Sequence, residues 1–213
     1  MPPRPPYRHA IFDFDGTLAD TFTAFTRIVN HLADELGFEP IRKDEVEDLR
    51  RKDARAIMKR LGIPAWKLPF LANRMRTLLA SEASGISLFS GAGDCLQTLK
   101  DRGVKLSIVS SNAELTIRRV LGPDLAGLVD AYACNASLWG KPGKLRKVLR
   151  ASGIEGAHAI YIGDEIRDAR AARSVDIAFG AVSWGYAPLD ALLPHEPNEV
   201  FADFYDLASK VKP

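Results

Sequence analysis

The chain has 213 residues, 46% of them apolar and 26% charged, with 29 basic against 27 acidic residues and a formal net charge of +2. That length allows one large domain or a core carrying one sizeable insertion. The near balance of charge argues against a nucleic-acid binder, which needs a strongly basic face. The longest apolar runs, such as IAFGAV, are far too short to cross a bilayer. The start, MPPRPPYRH, lacks the apolar stretch of a signal peptide and reads as a short extended Pro-rich tail. Two cysteines, Cys95 and Cys134, make no disulfide framework and fit a reducing, cytoplasmic setting.

In chain order, HAIFDF is the first strand. Phe22, Phe25, Ile28, Val29, Leu32 and Leu36 then recur at three- and four-residue steps, which is helix spacing. Val46, Leu49, Ile57, Met58 and Leu61 suggest a second helix, ended by Gly62 and Pro64. Leu71, Met75, Leu78 and Leu79 suggest a third, from about Leu68 to Ala83, so residues 20–87 read as all-helical. From Ser90 the rhythm changes: helix GAGDCLQTLKDRG, strand VKLSIVSSN, helix AELTIRRVLG, strand LVDAYAC, helix GKLRKVLRASG, strand AIYIGDE, helix IRDARAARSV and strand IAFGAVSWG. Strands alternating with helices of ten or so residues mark βαβ units and a parallel sheet. The last two dozen residues read as a loop, a short strand and a closing helix. The fold class is therefore α/β: a doubly wound parallel sheet, Rossmann-like, with a small all-helical segment inserted after the first strand. The division this predicts is a core of residues 1–19 and 88–213 and a helical unit of 20–87.

Ligands of such sheets bind beyond the carboxyl ends of the strands, and the polar residues collect there. Asp13 and Asp15 end the first strand, Ser110-Ser111-Asn112 the second, and Asp164-Glu165 the AIYIG strand, with Asp168 one helical turn on. Lys141 lies in the loop before the helix that leads to that strand. A period of two sends Asp13 and Asp15 to one side and Phe14 into packing, and Gly16 lets the chain turn away. Each feature alone has a plain structural explanation: a polar turn, a capping serine, an acidic helix start, an exposed lysine. All four falling at the same end of one sheet is harder to explain so. Four carboxylates, Asp13, Asp15, Asp164 and Asp168, in one crevice need a cation, and hard oxygen ligands favour Mg2+, which also takes phosphate and water.

DFDGTLAD, LSIVSSN, GKP and YIGDEIRD, in this order, resemble the four motifs of the haloacid dehalogenase superfamily of phosphohydrolases, from Ile11 to about Gly185. The helical segment resembles that family's C1 cap, and the nearest subgroup looks like the phosphoglycolate phosphatases. The resemblance implies an enzyme, a phosphoric monoester hydrolase acting on a small phosphorylated metabolite with Mg2+ and an aspartyl-phosphate intermediate. It implies Asp13 as nucleophile and Asp15 as general acid and base, whose presence favours phosphorus over carbon–halogen chemistry. Ser110 and the backbone N–H of Ser111 would hold phosphoryl oxygens. Lys141 would pair with phosphate and Asp13, Asp164 would bind the metal, and Asp168 would be a ligand or water-holder. Related phosphatases often continue Lys-Pro-x-Pro, whereas this chain has Lys141-Pro142-Gly143-Lys144, so Lys144 is a second candidate beside Lys141. In the cap, Arg50, Arg51 or Lys52 would read a substrate carboxylate, or form only a solvated basic face. Trp66, Trp139 and Trp184 read as packing residues, and the four histidines have no ligand-like spacing. The alternatives are a sugar-phosphate mutase built on the same residues and a weakly catalytic phosphate-binding regulatory module. No nucleic acid and no membrane is expected as a partner, and nothing in the sequence sets the oligomeric state.

Overall fold

Alternation along the apolar strands decides which face of the sheet each residue serves. In the computed structural model, which describes residues 6–137 and 139–213, Ala10 and Phe12 join Leu106, Ile108, Ile160 and Ile162 in one buried cluster. Ile11, Val109 and Tyr161 face the other way into a second cluster. The Pro-rich start at residues 1–5 lies outside the described residues.

Strand β1 (His9–Phe12) is followed by β2 (Ala19–Asp20), α1 (Phe22–Leu36), α2 (Val46–Arg50), α3 (Ala54–Arg60), α4 (Leu68–Ser81) and β3 (Ser87–Leu88). Then come α5 (Ala92–Asp101), β4 (Lys105–Val109), α6 (Glu114–Leu128), β5 (Ala131–Ala133), α7 (Lys141–Ser152) and β6 (Ala159–Gly163). The chain closes with α8 (Ile166–Arg173), β7 (Ala178–Val182), α9 (Leu189–Leu192), β8 (Glu199–Phe201) and α10 (Phe204–Lys210). Among the described residues, six strands form one sheet in the order β5-β4-β1-β6-β7-β8, each neighbouring pair parallel. Helices α5, α6 and α10 supply Leu96, Ile117 and Leu207 to the first cluster. Helices α7 and α8 supply Leu145, Val148, Ala169 and Ala172 to the second. Both faces are thus covered, which a parallel sheet requires. Phe12 and Phe14 are fully buried, and each such side chain contributes about 1.5–3 kcal/mol of hydrophobic stabilisation.

The helical stretch differs in detail from its sequence reading. Its two ends are not helical: β2 and β3 pair antiparallel, Ala19 with Leu88 and Asp20 with Ser87. Strands of two residues carry no period for a pattern to reveal. The expected second helix is two helices, because Asp53 caps α3 by accepting from the Ala56 N–H at 3.0 Å and so starts a new helix. Helix α6 runs on to Leu128 across a kink at Gly122, followed by Pro123. Of the tryptophans, Trp184 packs against Phe204 and Phe89 as expected. Trp66 and Trp139 do not: they are 76% and 54% exposed.

Candidate active site

The site begins where β1 stops. Asp13 continues the ladder, its N–H donating to the Ile162 carbonyl at 2.8 Å, and its side chain is buried. Phe14 goes into the core. Gly16 then takes a positive φ of 77°, and the Thr17, Leu18 and Ala19 N–H groups fold back on the Phe14 carbonyl. A Cβ on Gly16 would sit 2.2 Å from Asp164 Oδ2 and 2.5 Å from the Tyr186 ring. Gly16→Ala is therefore expected to cost about 1–3 kcal/mol from the backbone alone, with further loss from the clash, readable in urea unfolding.

Parallel pairing of β1 with β6 brings Asp164 and Asp168 beside Asp13. Among the described residues these three buried acids form a group in which one carboxylate oxygen from each lies within 4.8 Å of the others. Lys141, at the N-terminus of α7, is 2% exposed and donates from Nζ to Asp13 Oδ2 at 2.6 Å and to Asp168 Oδ1. Lys141, and not Lys144, is thus the lysine in contact with these carboxylates. Asp168 also receives the Tyr161 hydroxyl at 3.2 Å and the Glu165 N–H at 3.1 Å. Asp164 accepts from Thr17 Oγ1 at 2.8 Å and from the Tyr186 N–H at 2.7 Å.

Asp15 is the fourth acid expected at the metal, and it is placed apart from the other three. Its side chain stands outside the three-acid group, Oδ1 accepting from Asn112 Nδ2 at 3.1 Å, with the Thr21 hydroxyl as a further partner. Asp15 thus reaches the loop after β4 and the residue that precedes α1. Ser110 is buried, and its Oγ accepts the Asn112 N–H at 3.0 Å; Ser111 beside it is half-buried.

Electrostatics explain why these acids are unusual. Burial pushes the Asp13 carboxyl up to about 7, with Asp168 adding to the rise and Lys141 opposing it. Asp15 is raised by burial, against the hydrogen bonds from Asn112 and Thr21. Asp164 is raised well above the usual range by burial and by Glu165, Asp13 and Asp168. For Lys141, burial works against its charge, but Asp13 and Asp168 outweigh it and raise the ammonium. The cluster is short of positive charge, and its donors are all hard oxygens. That is the donor set and the charge deficit a Mg2+ ion fits.

Of the three basic residues expected to read a substrate carboxylate, Arg50 and Arg51 have partners within the protein. Arg50 donates from Nε to the Tyr186 carbonyl at 2.6 Å and from Nη2 to the Gly185 carbonyl at 3.0 Å. Arg51 pairs with Asp190, and Lys52 is exposed. Sequence reasoning missed Thr17, Asn112, Thr21, Tyr161 and Tyr186 as contacts of the acids. Thr17, Asn112 and Tyr161 had a signal, lying within the stretches already singled out; Thr21 and Tyr186 lie just beyond them.

A profile of the haloacid dehalogenase-like hydrolases matches residues 10–182. The chain belongs to that family. As a haloacid dehalogenase-like hydrolase it is 32% identical over 202 residues to a phosphoglycolate phosphatase of Synechococcus elongatus, covering 94% of this chain and 95% of that one. A phosphoglycolate phosphatase of Agrobacterium fabrum is 28% identical over 217 residues, covering 96% and 92%. In fold, the chain superposes on a predicted phosphatase from Clostridium acetobutylicum with a TM-score of 0.82, at 20% identity, over 97% of this chain and 99% of that one. This haloacid dehalogenase-like hydrolase is a phosphoric monoester hydrolase. No helix among the described residues is long and apolar enough to cross a membrane.

Proposed function

We propose that the protein is a Mg2+-dependent phosphatase of a small organic phosphate monoester, phosphoglycolate or a close analogue, working through an aspartyl-phosphate on Asp13. The observation that carries the reading is the buried Lys141 ammonium 2.6 Å from Asp13, with Asp164 and Asp168 grouped around the same carboxylate. Bound there by Asp13, Asp164 and Asp168, Mg2+ supplies positive field that lets a phosphate dianion approach a carboxylate.

An Asp13 oxygen attacks phosphorus in line, and the bond to the leaving oxygen breaks. Asp15, protonated, gives its proton to that oxygen, so the alcohol departs neutral. Asp15 then takes a proton from water, whose oxygen attacks the phosphoryl group and frees Asp13 and inorganic phosphate. Lys141, the Ser110 hydroxyl and the Ser111 N–H hold the phosphoryl oxygens, where charge spreads in the transition state. The insert of α1–α4, residues 20–87 by the sequence division, acts as a cap that keeps water from the crevice.

A panel of small phosphate esters, assayed for phosphate release with Mg2+ and with a chelator, tests this. Release only with Mg2+, and fastest from phosphoglycolate, is expected. Equal release under chelation overturns the metal dependence, and a flat profile overturns the substrate class. Accumulation of a phosphorylated sugar isomer in place of phosphate would favour the mutase alternative.

A further inference from the structure

The loop after β7, residues 184–187, lies between the metal-binding acids and the helical insert and is bonded to both. On the core side, the Tyr186 N–H donates to Asp164 Oδ2 at 2.7 Å, and the Ala187 N–H donates to the Asp164 carbonyl at 3.2 Å. Gly185 packs so tightly there that a Cβ on it would fall 2.0 Å from Asp164 Cβ. On the other side, Arg50 of α2 grips the Gly185 and Tyr186 carbonyls. Its guanidinium also stands 5.3 Å from the centre of the Phe22 ring. The Tyr186 ring lies against Phe22 and Phe25 of α1, centroids 5.2 and 5.5 Å away, and its hydroxyl bonds to Thr21 at 2.7 Å.

One short loop is thus clamped by the insert through its carbonyls and ring, and clamps Asp164 through its amides. We propose that Arg50 is a positioning residue for the cation site: by fixing the carbonyls of Gly185 and Tyr186 it aims the Tyr186 N–H that orients Asp164. Divalent-ion affinity is then set partly from the insert, at a residue that touches no ligand of the ion. Coupling of this kind is reciprocal. Filling the site tightens the seam between insert and core, and loosening the seam weakens the site. The inference rests on Asp164 being a metal ligand, as the proposed function has it.

The test is Mn2+ binding to the full chain without substrate, followed by the EPR signal of free Mn2+. Arg50→Ala is expected to weaken Mn2+ about five- to tenfold, with Arg50→Lys, able to reach one carbonyl, in between. Arg170→Ala is the control. It breaks the Arg170–Asp53 pair across the same seam but leaves the 184–187 loop alone, and Mn2+ affinity should stay within about twofold. In the wild type, Mn2+ should also slow amide hydrogen exchange at residues 46–51. Unchanged Mn2+ affinity in folded Arg50→Ala overturns the inference, and so does an equal loss in Arg170→Ala. Should Arg50→Ala fail to fold, the Arg50→Lys affinity decides alone. Asp164→Asn separates the two levels: if it leaves Mn2+ binding intact, the ion is held elsewhere and the metal reading falls, taking this inference with it.

Discussion

Asp13→Asn should lower turnover by about 10^4-fold or more while making the metal-free protein more stable at neutral pH. The two effects have one origin. Asp13 is buried beside Asp164 and Asp168, and its carboxyl is pushed from 3.8 to about 7. A folded-state value above the unfolded one means the folded protein holds that proton longer. Its contribution to stability is complete below the unfolded value and is lost as pH rises towards about 7. The amide of Asn carries no such charge. The gap in melting temperature between Asp13→Asn and wild type, measured in chelator, should therefore widen from pH 4 to pH 7, to about 5 °C. Mg2+ should close it by stabilising the wild type more than the variant. A variant with a near-normal rate would end the assignment of Asp13 as nucleophile, and a gap that narrows with rising pH would refute the electrostatic account.

Lys141→Met should be the most destabilising single change in the site. It leaves Asp13 and Asp168, both fully enclosed, without the ammonium that joins them. Removing one partner of a buried ion pair costs about 3–5 kcal/mol, most of it from the charges left behind. Activity should fall about 10^3-fold, since in the proposed function the same ammonium holds the phosphoryl oxygens. Lys144→Ala, three residues along α7, should change both by little. Denaturant melts of the two variants with and without Mg2+ check this, and Mg2+ should recover more stability in Lys141→Met than in wild type. Equal losses from Lys141→Met and Lys144→Ala would overturn the choice between them.

Much of this architecture was legible because it is written locally. The alternation in HAIFDF and AIYIG marks buried parallel strands, and the acids that follow them are poor strand residues in need of another reason. Joining Asp13 to Asp164 and Asp168 needed only the rule that polar residues past the carboxyl ends of a parallel sheet share one edge. What stayed hidden depends on contacts between distant segments. Tyr186 lies 22 residues from Asp164 and reaches it through a backbone N–H, which any residue but proline possesses and which leaves no mark in a sequence. Arg50 likewise binds main-chain carbonyls of the loop, while its acidic partner Glu47 lies on its own helix, so no charge pairing points to the loop. The reach of Asp15 was missed for another reason. Strand periodicity places it beside Asp13, but β1 ends at Phe12 and only the Asp13 N–H continues its ladder, so the period of two no longer holds at Asp15.

The position of β1 also shapes how the molecule is made. Among the described strands of the sheet, the first to be synthesised lies in its middle, between β4 and β6. It finds its second neighbour only once residues 159–163 have been synthesised. Until then an apolar segment with an open edge must wait, a topology that slows folding and invites association of nascent chains. Fragments ending before β6 should accordingly be the ones that aggregate, and chaperone dependence should concentrate in the interval between synthesis of β1 and of β6.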